Sequence, residues 1–134
     1  MKFLTVCVAV ISLSACGSRS EQEQVRQVIA GVESAAEERD ASDVLAFVAD
    51  DYEDASGFDK SELQNFLRGW LLAHPTVELL VNVESLEFPA DGLAQADISV
   101  TSVSLSDPDR VRLRVEFRRS GGDWRVKRAD RIER

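Results

Sequence analysis

The sequence predicts an α+β fold: three N-terminal helices packed on one face of a curved antiparallel sheet of four main strands. Three observations carry this. Up to Pro75, apolar residues recur at spacings of three and four. Beyond Pro75 they recur at every second position. The alternating part is cut by three turn signals, "PADG" (89–92), "SDPD" (106–109) and "SGGD" (120–123).

The helices come first. Ser20 and Glu23 have the spacing of a capping box. Val25, Val28, Ile29, Val32 and Ala36 then lie on one face of a helix over residues 21–39. A shorter helix is expected over 40–48, capped by Asp40 or Ser42, with Val44, Leu45, Phe47 and Val48 apolar. "ADDYEDASG" (49–57) reads as a polar bend around Tyr52. Asp59 and Glu62 open a third helix carrying Leu63, Phe66, Leu67, Trp70 and Leu71. Pro75 ends it, with His74 in the last turn.

The strands follow. Val77, Leu79, Val81 and Val83 alternate with Glu78, Leu80, Asn82 and Glu84, and Ala94, Ala96, Ile98 and Val100 alternate with Gln95, Asp97, Ser99 and Thr101. The apolar parity flips at Val103 and Leu105, which predicts a bulge near Ser102. Val111, Leu113, Val115 and Phe117 form the next apolar row, and Trp124 and Val126 the last. Helices followed by a meander place the helices on one side of the sheet.

This order of elements, with "DDYED" (50–54) after the second helix and "GGDWRVKR" (121–128) opening the last strand, resembles the nuclear transport factor 2-like superfamily, which includes SnoaL-like and ketosteroid-isomerase-like proteins. The resemblance covers about residues 21–132. It implies a cystatin-like cone, in which a curved sheet wraps the long helix and leaves a pocket between them. It also implies that enzymes of this type keep an acid, a histidine or an acid–tyrosine set inside the cone, although the fold alone does not decide function.

Strand parity tests for such chemistry. The expected inward rows hold no carboxylate and no imidazole, so the sheet offers no general base within reach of a substrate. The polar and aromatic candidates for a ligand pocket are Tyr52, Trp70, His74, Trp124, Arg128 and Asp130. Tyr52 either donates into the cavity mouth or plugs the gap between helix and sheet. Trp70 and Trp124 wall a ligand or fill core. His74 suits a helix C-cap. Arg128 and Asp130 share parity with Trp124 and Val126, so an unbroken strand turns both inward, where they could hold a polar ligand head. No cofactor is expected, and a lone histidine argues against a metal centre.

The N-terminus supplies an address. Lys2 precedes a mostly apolar run over residues 3–15, the length of a signal-peptide core and short of the ~20 residues that span a membrane. Leu13, Ser14, Ala15 and Cys16 resemble the bacterial lipobox. That resemblance implies a signal peptide over 1–15, removed on processing, acyl chains on Cys16, a short tether over 16–20 and the folded domain over 21–134. Cys7 leaves with the signal, so no disulfide is expected. Gly17 rather than Asp after Cys16 resembles lipoproteins sent to the outer membrane, with the domain on its periplasmic face.

The net charge of −8 is uneven. Acids dominate residues 17–109 and bases dominate 110–134. The overall negative field and the expected compartment exclude nucleic acid as a partner. Arg112, Arg114, Arg118, Arg125 and Lys127 should line the outer sheet face. They pair there with Glu78, Glu84, Asp97 and Glu116, or meet a protein partner or second copy. The functional expectation is a lipid-anchored cell-envelope protein whose cone binds a small apolar ligand or docks a partner without catalysis. The alternatives are an isomerase- or dehydratase-like enzyme on a small hydrophobic substrate and a structural partner in an envelope complex.

Overall fold

The computed structural model describes residues 20–103 and 109–132. Cys16, the expected signal and Leu105 lie outside the described residues. The chain forms α1 (Glu21–Glu37), α2 (Ala41–Ala46), α3 (Lys60–Ala73), β1 (Leu79–Ala90), β2 (Leu93–Ser102), β3 (Asp109–Ser120) and β4 (Asp123–Arg131). The strands make one antiparallel meander in the order β1-β2-β3-β4.

Each helix starts where a short polar side chain accepts an otherwise unsatisfied N–H. Ser20 Oγ accepts from the Glu23 amide at 3.2 Å, Asp40 Oδ1 from that of Asp43 at 3.0 Å, and Asp59 Oδ1 from that of Glu62 at 2.8 Å. A cap of this kind contributes ~1 kcal/mol. α1 stops two residues short of Arg39, which takes the left-handed conformation with φ of 60°. The Arg39 and Asp40 amides then close onto the carbonyls of Ala36 and Ala35, each at 3.0 Å. The Arg39 guanidinium donates to the Leu71 carbonyl at 2.8 Å, so the turn that ends α1 also ties down the end of α3.

Alternation places the core on the helix-facing side of the sheet. Val25, Ala96 and Phe117 are at most 1% exposed, and Tyr52 joins them at 2%. The ladder departs from the expected pattern at its irregularities. β2 pairs with β3 without a shift through Ser102, and Val103 lies beyond the strand, so the parity flip there marks a strand end and not a bulge. Register shifts occur instead at Val83/Ser85 and Glu87/Ala90 in β1, and at Glu116/Phe117 in β3. The last leaves Lys127 as an extra residue of β4, between Val126 opposite Phe117 and Arg128 opposite Glu116. At the β3–β4 turn, Gly121 and Gly122 both have positive φ, 61° and 91°, as a tight two-residue hairpin requires.

The helical layer is sewn to one edge of the sheet. The Ala49 amide donates to the Val126 carbonyl at 2.9 Å and the Val126 amide to the Phe47 carbonyl at 2.8 Å. The Glu53 amide reaches the Lys127 carbonyl at 3.3 Å. Val48 and Val126 thus form a parallel bridge on β4.

α1 and α2 approach closely at Gly31. A Cβ there would sit 2.5 Å from the Phe47 ring. Gly31→Ala should therefore destabilise the domain by ~1–3 kcal/mol in urea unfolding, against the usual gain of replacing a helical glycine. Adding Phe47→Leu should recover part of the loss.

Candidate functional site

The concave side of the sheet and the three helices enclose a cavity of about 260 Å³. β1 contributes Leu79 and Val81, β2 Ile98 and Val100, β3 Leu113, Val115 and Phe117, and β4 Val126 and Ala129. No carboxylate or imidazole from the sheet enters it. α1 contributes Ile29, Val32, Ala36 and one charged side chain, Glu33. Val44, Val48, Leu63, Leu67 and Tyr52 complete the wall. The volume is below the ~300 Å³ at which most small-molecule pockets begin, and above the ~150 Å³ of an apolar cavity that takes up benzene. A wider trough of about 640 Å³ lies between α2 and the start of α3, but its border mixes Leu45 and Ala46 with Ser42, Asp50, Asp59, Lys60, Ser61 and Gln64, and it opens to solvent.

Of the residues expected to form a pocket, Tyr52 is the one in the cavity wall. Its ring is buried, and its hydroxyl donates to Asp54 Oδ2 at 2.7 Å and lies 3.4 Å from the Ala129 carbonyl. Burial, then the Asp54 carboxylate, push the hydroxyl's pKa far above its ordinary value. Asp54 Oδ1 also accepts from the Ser56 and Phe58 amides at 2.9 and 3.2 Å, so the tyrosine anchors the 50–58 bend against β4.

The inward placement expected for Arg128 and Asp130 is corrected. The extra residue at Lys127 reverses the parity of β4, so Ala129 faces the cavity opposite Val115. Arg128 lies opposite Glu116 and Asp130 opposite Arg114. The two pair with each other, and Asp130 accepts the Ala55 amide at 2.7 Å. Desolvation pushes the Asp130 carboxyl up, but the Ala55 amide and the Arg128 guanidinium outweigh it and hold the pKa below its ordinary value.

Trp70, His74 and Trp124 also lie outside the cavity lining. Trp70 and His74 stack on each other, ring centroids 4.1 Å apart, at the exposed end of α3. His74 Nδ1 is 2.7 Å from the Trp70 carbonyl, a geometry that requires the proton on Nδ1. Trp124 is buried, with its Nε1–H donating to Gln24 Oε1 at 3.0 Å, Phe88 edge-on to its ring and the Arg119 guanidinium over it.

Glu33 is a lining residue that strand parity does not reveal, because it lies on α1. It sits four positions after Ile29 and three before Ala36, an acid inside the apolar stripe of α1. That interruption was its signal. Burial against the cavity, then the neighbouring Glu37, raise its carboxyl pKa above the ordinary value.

The outward face of the sheet carries paired charges. Arg112 contacts Glu84 at 2.6 Å and Arg114 contacts Asp97 at 2.9 Å, while Arg118 reaches across to Asp51 at 2.8 Å. Arg125 donates to the Ala46 carbonyl at 3.1 Å. Among the described residues, no group of three histidine, cysteine or acidic side chains is placed to hold a metal ion, and no helix is long and apolar enough to cross a membrane.

No family model matches the chain, and no curated protein matches it. Solved structures do match. A nuclear transport factor 2-like protein of unknown function from Pseudomonas putida KT2440 superposes with a TM-score of 0.65 at 24% identity, over 84% of this chain and 85% of that one. A putative calcium/calmodulin-dependent protein kinase type II association domain from Thiobacillus denitrificans ATCC 25259 gives 0.69 at 15% identity, over 79% and 91%. A protein of unknown function with a cystatin-like fold from Nostoc punctiforme PCC 73102 gives 0.68 at 17% identity, over 82% and 88%. The chain therefore has the nuclear transport factor 2-like, or cystatin-like, α+β fold.

A carboxyl whose pKa is raised by folding favours its protonated form in the native state, so its cost appears as pH rises through the raised pKa. Glu33→Gln should unfold at a higher temperature than the wild type at pH 7. The gap should close as pH falls below the ordinary carboxyl value of 4.5, measured by thermal melts across pH.

Proposed function

We propose that the protein is a lipid-anchored cell-envelope protein whose cup binds a small apolar ligand. The observation that carries the reading is the cavity itself: an almost wholly apolar space of about 260 Å³ between the sheet and the helices. Its apolar walls supply affinity in proportion to the ligand area they remove from water, roughly 25 cal/mol per Å² before the costs of association. The anchor rests on Leu13, Ser14, Ala15 and Cys16 and the apolar run before them. More than one acyl chain on Cys16 holds a protein stably at ~0.8 kcal/mol per buried methylene. Gly17 favours the outer membrane and its periplasmic face.

Glu33 gives an isomerase- or dehydratase-like enzyme its best case, since it borders the apolar cup and its carboxyl pKa is raised by partial burial and by Glu37. Binding remains the better-supported reading for a chemical reason. Proton abstraction needs a donor to stabilise the charge that develops on the substrate. The Tyr52 hydroxyl, the donor nearest the wall, is committed to Asp54.

Mass spectrometry of the protein extracted intact from membranes tests both parts. The expected result is acyl mass on a chain beginning at Cys16, with a small hydrophobic molecule co-purifying. In Val81→Phe, where the new ring fills the cup, that molecule should be lost while the acyl mass persists. An unacylated N-terminus overturns the anchor, and a ligand retained by Val81→Phe overturns the cup as its site.

A further inference from the structure

Resting on the reading of the cup as a ligand site, the geometry points to the class of ligand: we propose that it is an amphiphile with a protonated amine at one end, which enters apolar end first and leaves the amine against Glu33. The lining is apolar except at two places. One is Tyr52, whose hydroxyl already serves Asp54 and Ala129. The other is Glu33, half-buried on α1. None of the hydrogen bonds and ion pairs among the described residues engages its carboxylate, while Asp51, Glu84, Asp97 and Asp130 each hold an arginine.

Glu33 lines the cup with its side-chain carbons and is half exposed, so its carboxylate stands at the edge of the apolar wall with no counter-charge among the described residues, where an ammonium group would supply one. Its raised pKa has the sign of that missing partner. Glu37, exposed one turn along α1, adds negative potential beside Glu33. Both groups repel an anionic head, so the arrangement selects against fatty acids and other carboxylates or phosphates of equal apolar size. The volume takes an apolar body of about one aromatic ring or a short alkyl chain.

The test uses three probes with one tail, octylamine, 1-octanol and octanoate, titrated into the folded domain and followed by two-dimensional NMR at pH 7. Octylamine should bind tightest and octanoate weakest, the two differing by roughly tenfold or more, as one charge-assisted hydrogen bond provides. Glu33→Gln should erase that preference, and Glu37→Gln should retain most of it. Shift changes should map to the cavity wall, at Val81, Val100 and Ala129. If 1-octanol binds there but octylamine has no advantage, or if Glu33→Gln keeps the advantage, the amine assignment is overturned and the apolar cup stands. If none of the three shifts the cavity wall, the cup reading falls, and the inference with it.

Discussion

The cup depends on how the helical layer meets the sheet. Residues 47–53 run beside β4 and exchange backbone hydrogen bonds with Val126 and Lys127, so one edge of the sheet is closed by main chain. Backbone pairing fixes spacing in a way that side-chain packing does not. With the helices pinned there, the curved sheet can stand away from α1 and α3 elsewhere, and the cavity is the space that remains. The "DDYED" segment strengthens the seam. Asp51 takes Arg118, Tyr52 is buried against Ala129, and Asp54 holds both the tyrosine hydroxyl and the turn that follows.

What the sequence made legible was what is encoded locally. Ser20, Asp40 and Asp59 announce their helices because a cap acts over three residues. Strand parity held through β1, β2 and β3 where the core faces are concerned, because a half-buried strand must alternate. It failed in β4 because one extra residue at Lys127 reverses everything after it, and nothing in "WRVKRAD" marks which residue the ladder will skip. That single slip moved Arg128 and Asp130 from the expected pocket to the other face. Glu33 is invisible to strand parity for a different reason: it lies on a helix, in the apolar stripe of α1. The contact of Gly31 with Phe47 joins two helices through tertiary packing and has no local signature.

Electrostatics divide the molecule into a neutralised side and an uncompensated one. On the outward face, Glu84, Asp97 and Asp51 each meet an arginine, and such exposed pairs contribute only ~0.2–1 kcal/mol apiece. Their effect is to cancel the basic character of the C-terminal strands, which in isolation would invite polyanions. At the rim of the cup the balance differs, because Glu33 borders the apolar interior with no arginine paired to it among the described residues, and Glu37, exposed one turn along α1, adds to its charge.

The far edge of the sheet has its own consequence. Among the described residues β1 borders only β2, and its long outer side would ordinarily offer a row of main-chain donors and acceptors to any extended peptide. Two register shifts and Pro89 interrupt that row, and Glu84 and Glu87 add charge along the strand. The irregularities of β1 thereby guard against runaway strand addition, allowing the sheet to end in water without seeding fibrils.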